Sequence, residues 1–140
     1  MSDEHINWES EYSVGVAEID KQHLELLNYV NDLINNSTEN QKGLSAYNRK
    51  VIDDVINHVA LHFETEEKIL SKTNYEKFGD HKKEHEKITA KINNIRSEIG
   101  NEKSDMALYN LTITLKEYFL SHILLFDKDA AEYFRLGDQK

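Results

Sequence analysis

The sequence predicts an all-α fold, an antiparallel up-down-up-down four-helix bundle with an N-terminal arm. Three observations carry that expectation. The 140 residues include no proline and only five glycines, a composition suited to long helices rather than turn-rich β structure. Polar breaker segments, "NNSTENQKG" (35–43), "SKTN" (71–74) and "GNEKS" (100–104), cut the chain into four stretches of helical length. Within each stretch the apolar residues alternate steps of three and four, the spacing of one helix face turned to a core. Short connections make sequential helices antiparallel neighbours. One domain of residues 1–140 follows, divided into an arm (1–17), the bundle (18–127) and a tail (128–140).

The elements can be justified in order. The arm holds Trp8. The first helix then places Ile19, His23, Leu26, Val30 and Leu33 on one face, and the second Ile52, Val55, Val59, His62, Glu66 and Ile69. The third places His81, His85, Ile88, Ile92, Ile95 and Ile99 there, and the fourth Leu108, Leu111, Leu115, Tyr118, His122 and Leu125. Every face contains histidine. His23 stands near the start of its helix, His62 and Glu66 near the end, His81 and His85 near the start, and His122 near the end. In alternating topology those four places are the same end of the bundle, so five imidazoles and a carboxylate meet in one layer of the core.

A single histidine on an apolar face is usually a hydrogen-bonded core residue, and the i,i+4 pair in "HKKEH" is usually a solvated face. Five in one layer are another matter, because burying them without partners would cost about 1–3 kcal/mol per group. A divalent first-row metal supplies the missing partner, since neutral imidazole and carboxylate are its ligands. Two ions are the natural count for five histidines plus acids, and anionic bridges must hold the two cations together. Glu66 is one such bridge. For the second, "HILLFDKDAAE" offers Asp127 and Asp129. Five residues advance a regular helix to about 140° from the starting face, so Asp127 reaches the layer only if the helix loosens or ends just after His122.

Other compositional signals narrow the function. With no cysteine, disulfides, thiolate catalysis, Fe–S clusters and cysteine zinc sites are excluded. A formal charge of −9 with alternating signs leaves no basic stripe for phosphates, so nucleic acid is not an expected partner. The start, "MSDEHINWES", has no signal-peptide pattern and no apolar run is long enough to span a membrane. The expectation is a cytoplasmic monomer with no membrane partner.

The ordered set His23, "HFETE", "HKKEH" and "HILLFD" resembles the hemerythrin family, in particular its bacterial single-domain branch. The family's pattern of a lone histidine, H-x3-E, H-x3-H and H-x4-D matches at all seven positions, and the likeness extends through Trp8 and "EIDKQH" (18–23). It implies a cofactor of two iron ions with an oxo or hydroxo bridge. His81, His85 and His122 would hold one iron, His23 and His62 the other, and Glu66 and Asp127 would bridge them, which selects Asp127 over Asp129. Counting ligands leaves one open position, on the iron of His23 and His62, where the family binds oxygen. His58, a turn before His62, is expected to be a hydrogen-bonding neighbour or exposed, and His5 to be solvated. Glu64 and Glu67 are read as surface charges. Where relatives often carry Trp-Leu ahead of the last histidine, this chain has Tyr118 and Phe119, and Phe119 would line the oxygen pocket.

The implied function is reversible dioxygen binding by a non-haem di-iron protein, for storage, delivery or sensing, with azide and similar small anions as ligands of the oxidised form. The alternative is a di-iron redox enzyme, a ferroxidase, peroxide reductase or nitric oxide reductase. Di-iron oxidases of the ferritin type use carboxylate-rich sites with E-x-x-H motifs; this layer has five histidines and two acids, and its expected role is binding rather than catalysis.

Overall fold

In the computed structural model, residues 6–35, 46–101 and 105–140 are described. His5 and much of the expected breakers at 35–43 and 100–104 lie outside them, as do the side chains of Ile99 and Leu108. The helices are α1 (Ala17–Asn35), α2 (Ala46–Leu70), α3 (Phe78–Asn101), α4 (Asp105–Ser121) and α5 (Lys128–Asp138). A π-helical stretch, His122–Asp127, joins α4 to α5, so the last three segments form one continuous rod and the bundle has four. α1 packs on α2 and α4, and α3 on α2 and α4. Among the described residues there is no strand, and no helix is long and apolar enough to cross a membrane.

The faces read from the sequence meet in the middle of the bundle. Val30, Leu33, Val55, Ile88, Ile92, Leu111 and Leu115 are buried in one cluster, which continues toward the histidine layer through Phe63, Phe119 and Ile123. Two residues of the expected fourth face behave differently. Tyr118 is only partly buried, and Leu125 is 66 % exposed. The π-helical stretch accounts for Leu125. There the Lys128 N–H donates to the Ile123 carbonyl, five residues back, so the turn is wider than an α-turn. Residues after His122 are rotated, and Leu125 swings outward.

The structure also differs from the expected tail. Residues Lys128–Asp138 are helical, and Ala130, Ala131 and Phe134 are buried against Val14, Val16, Ile19 and Leu70. This second cluster closes the end of the bundle below the histidines. The arm is fastened into it. Asp20 accepts bonds from the Ser13 hydroxyl (2.6 Å) and the Val14 N–H (2.9 Å), while Lys128 and Arg135 donate to the Ser13 and Val14 carbonyls at 3.1 and 3.2 Å. Further out, Asn31 pairs with both backbone groups of Ile6 at 2.8 Å each. Gly15, at φ 82°, supplies the left-handed residue of the intervening bend.

Helix α5 lies so close to the end of α2 that a Cβ on Gly137 would overlap the Ile69 carbonyl oxygen and reach to 2.8 Å from its side chain. Gly137→Ala is therefore expected to lose about 1–3 kcal/mol by overpacking, more than the roughly 1 kcal/mol that alanine gains in a helix. Gly79→Ala, with nothing within 4 Å of the new methyl, should leave stability unchanged or slightly raised. Urea unfolding of the two variants is the check, and equal midpoints would show that α5 is not packed this tightly.

Candidate metal centre

His23 of α1, His62 and Glu66 of α2, His81 and His85 of α3, His122 and Asp127 of the last rod are all buried, at 0–5 % exposure. The α-helical spacing of three and four delivers six of them to the layer. Asp127 arrives by the wider π-turn, which returns a residue five positions after His122 to the same face. The exposed Asp129 points elsewhere, with one oxygen 3.1 Å from the Tyr75 hydroxyl and 3.2 Å from the Lys77 ammonium.

The two carboxylates stand between the histidines. Glu66 Oε1 lies 3.0 Å from His81 Nε2, 3.1 Å from His85 Nε2 and 3.5 Å from His122 Nε2. Its other oxygen lies 2.8 Å from His62 Nε2 and 3.4 Å from His23 Nε2. Asp127 is divided in the same sense, with Oδ1 at 3.2 and 3.1 Å from His81 and His122 and Oδ2 at 2.9 Å from His23. Each acid thus presents one oxygen to a three-histidine group and one to a two-histidine group. Potential ligand atoms of Glu66, His81, His85 and His122 lie within 4.8 Å of one another, and so do those of His23, His62, Glu66 and Asp127.

These approaches are close, yet many lack hydrogen-bond geometry. His23 Nε2, His62 Nε2, Glu66 Oε2 and both oxygens of Asp127 are buried without a hydrogen-bond partner. Orphaned polar atoms of this kind are rare in protein interiors. Nitrogens and oxygens that converge in distance but not in bonding direction are aimed at a point between them, which is the arrangement of ligands around a cation. The donor set, imidazole with carboxylate, suits iron. The residues fit a pair of metal ions.

A family model described as "Hemerythrin HHE cation binding domain" matches residues 14–133. The chain belongs to the hemerythrin family. It is 26 % identical over 118 residues to a bacteriohemerythrin of Stenotrophomonas maltophilia, covering 83 % of this chain and 72 % of that protein. It is 26 % identical over 120 residues to a bacteriohemerythrin of Methylococcus capsulatus, covering 85 % and 88 %. A hemerythrin-like protein of Naegleria gruberi is 30 % identical over 82 residues, 59 % of this chain and 61 % of that one. The cofactor of a hemerythrin domain is a di-iron centre, and the layer offers two ligand groups for it.

The other residues singled out in the sequence fall around this layer. The His58 Nε2–H donates to the Gln22 carbonyl, 2.9 Å away, outside the ligand groups. Glu64 is exposed. Glu67, read as a surface charge, is half-buried and also reaches inward: its Oε2 is 2.8 Å from His85 Nδ1. One position past Glu66 on a helix lies about 100° around the axis, and on α2 that direction faces α3. Gln22, which the sequence reading passed over, is 3 % exposed, and its Oε1 lies 3.0 Å from His62 Nδ1. A cavity of about 30 Å³ sits above the layer, lined by His23, His62 and His122 together with Leu26, Val59, Leu115, Phe119 and others. Phe119 is edge-on to His23 at 6.3 Å and to Tyr12 at 6.2 Å, and Trp8 stands on Tyr12 at 5.5 Å.

Charge in the layer is set by mutual proximity. Burial opposes protonation of His23, His81 and His122, but Asp127 and Glu66 outweigh it and push them up to about 9, 9 and 10. Burial holds His62 below the usual imidazole value. Burial raises Glu66 and Asp127, yet the surrounding imidazoles hold both below the usual carboxylate range.

Two predictions follow from these values. Stripped of metal, the three raised histidines stabilise the fold fully below pH 6.5, their unfolded value, and lose that contribution as pH climbs through 9 and 10. Metal needs the same imidazoles deprotonated, so it binds more strongly over that interval and releases protons as it does. Melting temperatures from pH 6.5 to 10 should therefore fall for the stripped protein, and the stabilisation gained on adding metal should grow. Parallel curves for the two forms would contradict the assignment of these residues to a metal site. Secondly, Asp127→Ala should abolish the paired site while Asp129→Ala keeps it, as read by iron per chain; the reverse pattern would transfer the role to Asp129.

Proposed function

We propose that this hemerythrin-family chain binds dioxygen reversibly, as an oxygen store, carrier or local sensor. In this reading His81, His85 and His122 hold one iron, His23 and His62 the second, and Glu66 and Asp127 span both. The reading draws on the two ligand groups and on the split of each carboxylate between them. It also draws on matched relatives that are bacteriohemerythrins. The iron pair, when bound, supplies the two electrons that oxygen takes up.

The observation that carries the proposal is the cavity. It meets both histidines of the smaller group, His23 and His62, but of the larger group only His122, and its remaining lining is aliphatic and aromatic. Apart from histidine nitrogens it offers a guest almost no polar surface, and its size, about 30 Å³, suits a very small molecule. Dry walls slow proton delivery and hydrolysis, conditions under which a bound gas can leave unchanged. Phe119, 3 % exposed, forms part of those walls. The chain would act as a monomer in the cytoplasm, without nucleic-acid or membrane partners, and small anions such as azide would occupy the oxygen position of the oxidised protein. The cysteine-free composition and the formal charge of −9 support that setting.

Repeated cycles test the proposal. Reduced protein containing two irons should gain visible absorption on exposure to oxygen and lose it on purging with inert gas, over several cycles, with azide abolishing the response once the protein is oxidised. Phe119→Ala should retain two irons but survive fewer cycles, because the enlarged cavity admits water. Stoichiometric peroxide in solution and a permanently ferric product after the first exposure would reject reversible binding in favour of a di-iron redox enzyme.

A further inference from the structure

We propose that Glu67 and Gln22 are positioning residues that make the two iron positions electronically unequal. Glu67 brings a negative charge to the three-histidine position through His85, whereas Gln22 holds His62 with a neutral amide. The inference rests on the ligand grouping proposed above.

Each group contains one histidine whose outer nitrogen is anchored by a side chain. In the three-histidine group it is His85, whose Nδ1 lies 2.8 Å from Glu67 Oε2. An ionised carboxylate can only accept, so Nδ1 carries the proton and the Nε2 lone pair is turned to Glu66 and His122, each 3.1 Å away. Phe63 stacks on the same imidazole with ring centres 3.8 Å apart and planes 7° from parallel, which fixes its plane. In the two-histidine group the anchored residue is His62, with Nδ1 3.0 Å from Gln22 Oε1. The amide cannot be turned round without loss, because its nitrogen donates to Glu18 Oε2 at 3.0 Å and to the Thr65 hydroxyl at 3.1 Å. His62 therefore also carries its proton on Nδ1 and faces Glu66 with a free Nε2. The outer nitrogens of His23, His81 and His122 have no hydrogen-bond partner.

The two anchors are alike in geometry and differ by a unit of charge. A carboxylate behind a ligating imidazole strengthens its donation to the metal and favours the higher oxidation state, and removing such a partner typically costs about 10–100-fold in metal affinity. An amide oxygen fixes the ring with much less of that donation. With iron bound, the three-histidine position would accordingly be the easier to oxidise, and the two-histidine position the harder.

The experiment is a spectroelectrochemical titration of the iron-loaded protein under argon, resolving the two one-electron steps and counting iron in each variant. Glu67→Gln keeps an acceptor of the same shape but removes the charge. It should raise the lower potential by about 59 mV for a tenfold change in equilibrium. Gln22→Glu adds the charge on the opposite side and should lower the upper potential by a similar amount, so both variants narrow the gap from opposite ends. Glu64→Gln removes the same charge from an exposed position near Glu67 and should move neither step. Loss of one iron from Glu67→Gln, with two retained in Glu64→Gln and Gln22→Glu, would be the stronger form of the same effect. Two irons with both potentials unmoved in Glu67→Gln, or a shift equal to that of Glu64→Gln, would overturn the inference. Fewer than two irons in the unaltered protein would instead overturn the grouping on which it rests.

Discussion

The structure depends on two carboxylates, Glu66 and Asp127, buried at 0 % exposure with imidazoles as their ion-pairing partners. No lysine or arginine pairs with either among the described residues. Transfer of an ion from water to a protein interior costs several kcal/mol even after relaxation, and only close, well-directed partners offset it. The rest of the bundle follows from satisfying that requirement. Four helices must each bring a ligand to one level, the aliphatic core must lie on one side of it, and α5 with the arm must close the other. A cation at the centre would turn that cost into a gain, and the same atoms are short of hydrogen bonds and rich in near neighbours.

The faces of the first three helices were legible because an α-helix repeats every 3.6 residues and its core side chains keep that beat. His23, His62, Glu66, His81 and His85 stand out as polar residues on that beat, and His122 stands at its last regular step. The beat then fails. Leu125 continues the three-four pattern on paper but is 66 % exposed, while Asp127, off the pattern, is buried. A π-turn changes the period for six residues, and no residue in "HILLFD" announces it. From periodicity alone Asp127 and Asp129 therefore remained open, and only the likeness to a family pattern chose between them. The same change of phase hid α5, whose Ala130, Ala131 and Phe134 form a proper helical face that is out of register with the face before it.

A second class of feature was illegible for a different reason. Gln22 and Glu67 sit next to His23 and Glu66 in sequence, where a helix turns by about 100° per residue, so neither belongs to the core face. Their importance comes from which neighbouring helix they happen to meet, and that depends on the handedness and spacing of the bundle. The arm raises the same difficulty. Trp8 was visible as an isolated aromatic, but its place in a column of rings running through Tyr12 and Phe119 to His23 requires the fold. Only Phe119 and His23 of that column line the cavity; Tyr12 and Trp8 stand behind Phe119, on an arm pinned by Asn31 and Asp20.

The π-helical stretch has an evolutionary consequence. It acts as a phase setter between two halves of one rod: α4 is keyed to the core above the histidine layer and α5 to the cluster below. Tightened into ordinary α geometry at this length, the segment would rotate everything downstream by about 100°. That would carry Phe134 away from Val16 and Leu70, and Gly137 away from Ile69. Removing one residue as well would largely cancel that turn, because five α-steps cover nearly the angle of six wider ones. Side chains on the outer surface of this segment, such as those of Leu124 and Leu125, can drift freely, whereas its length and its wide turn are tied together. Descendants of this chain should therefore vary in spelling between His122 and Asp127, and any that lose one residue there should lose the wide turn with it.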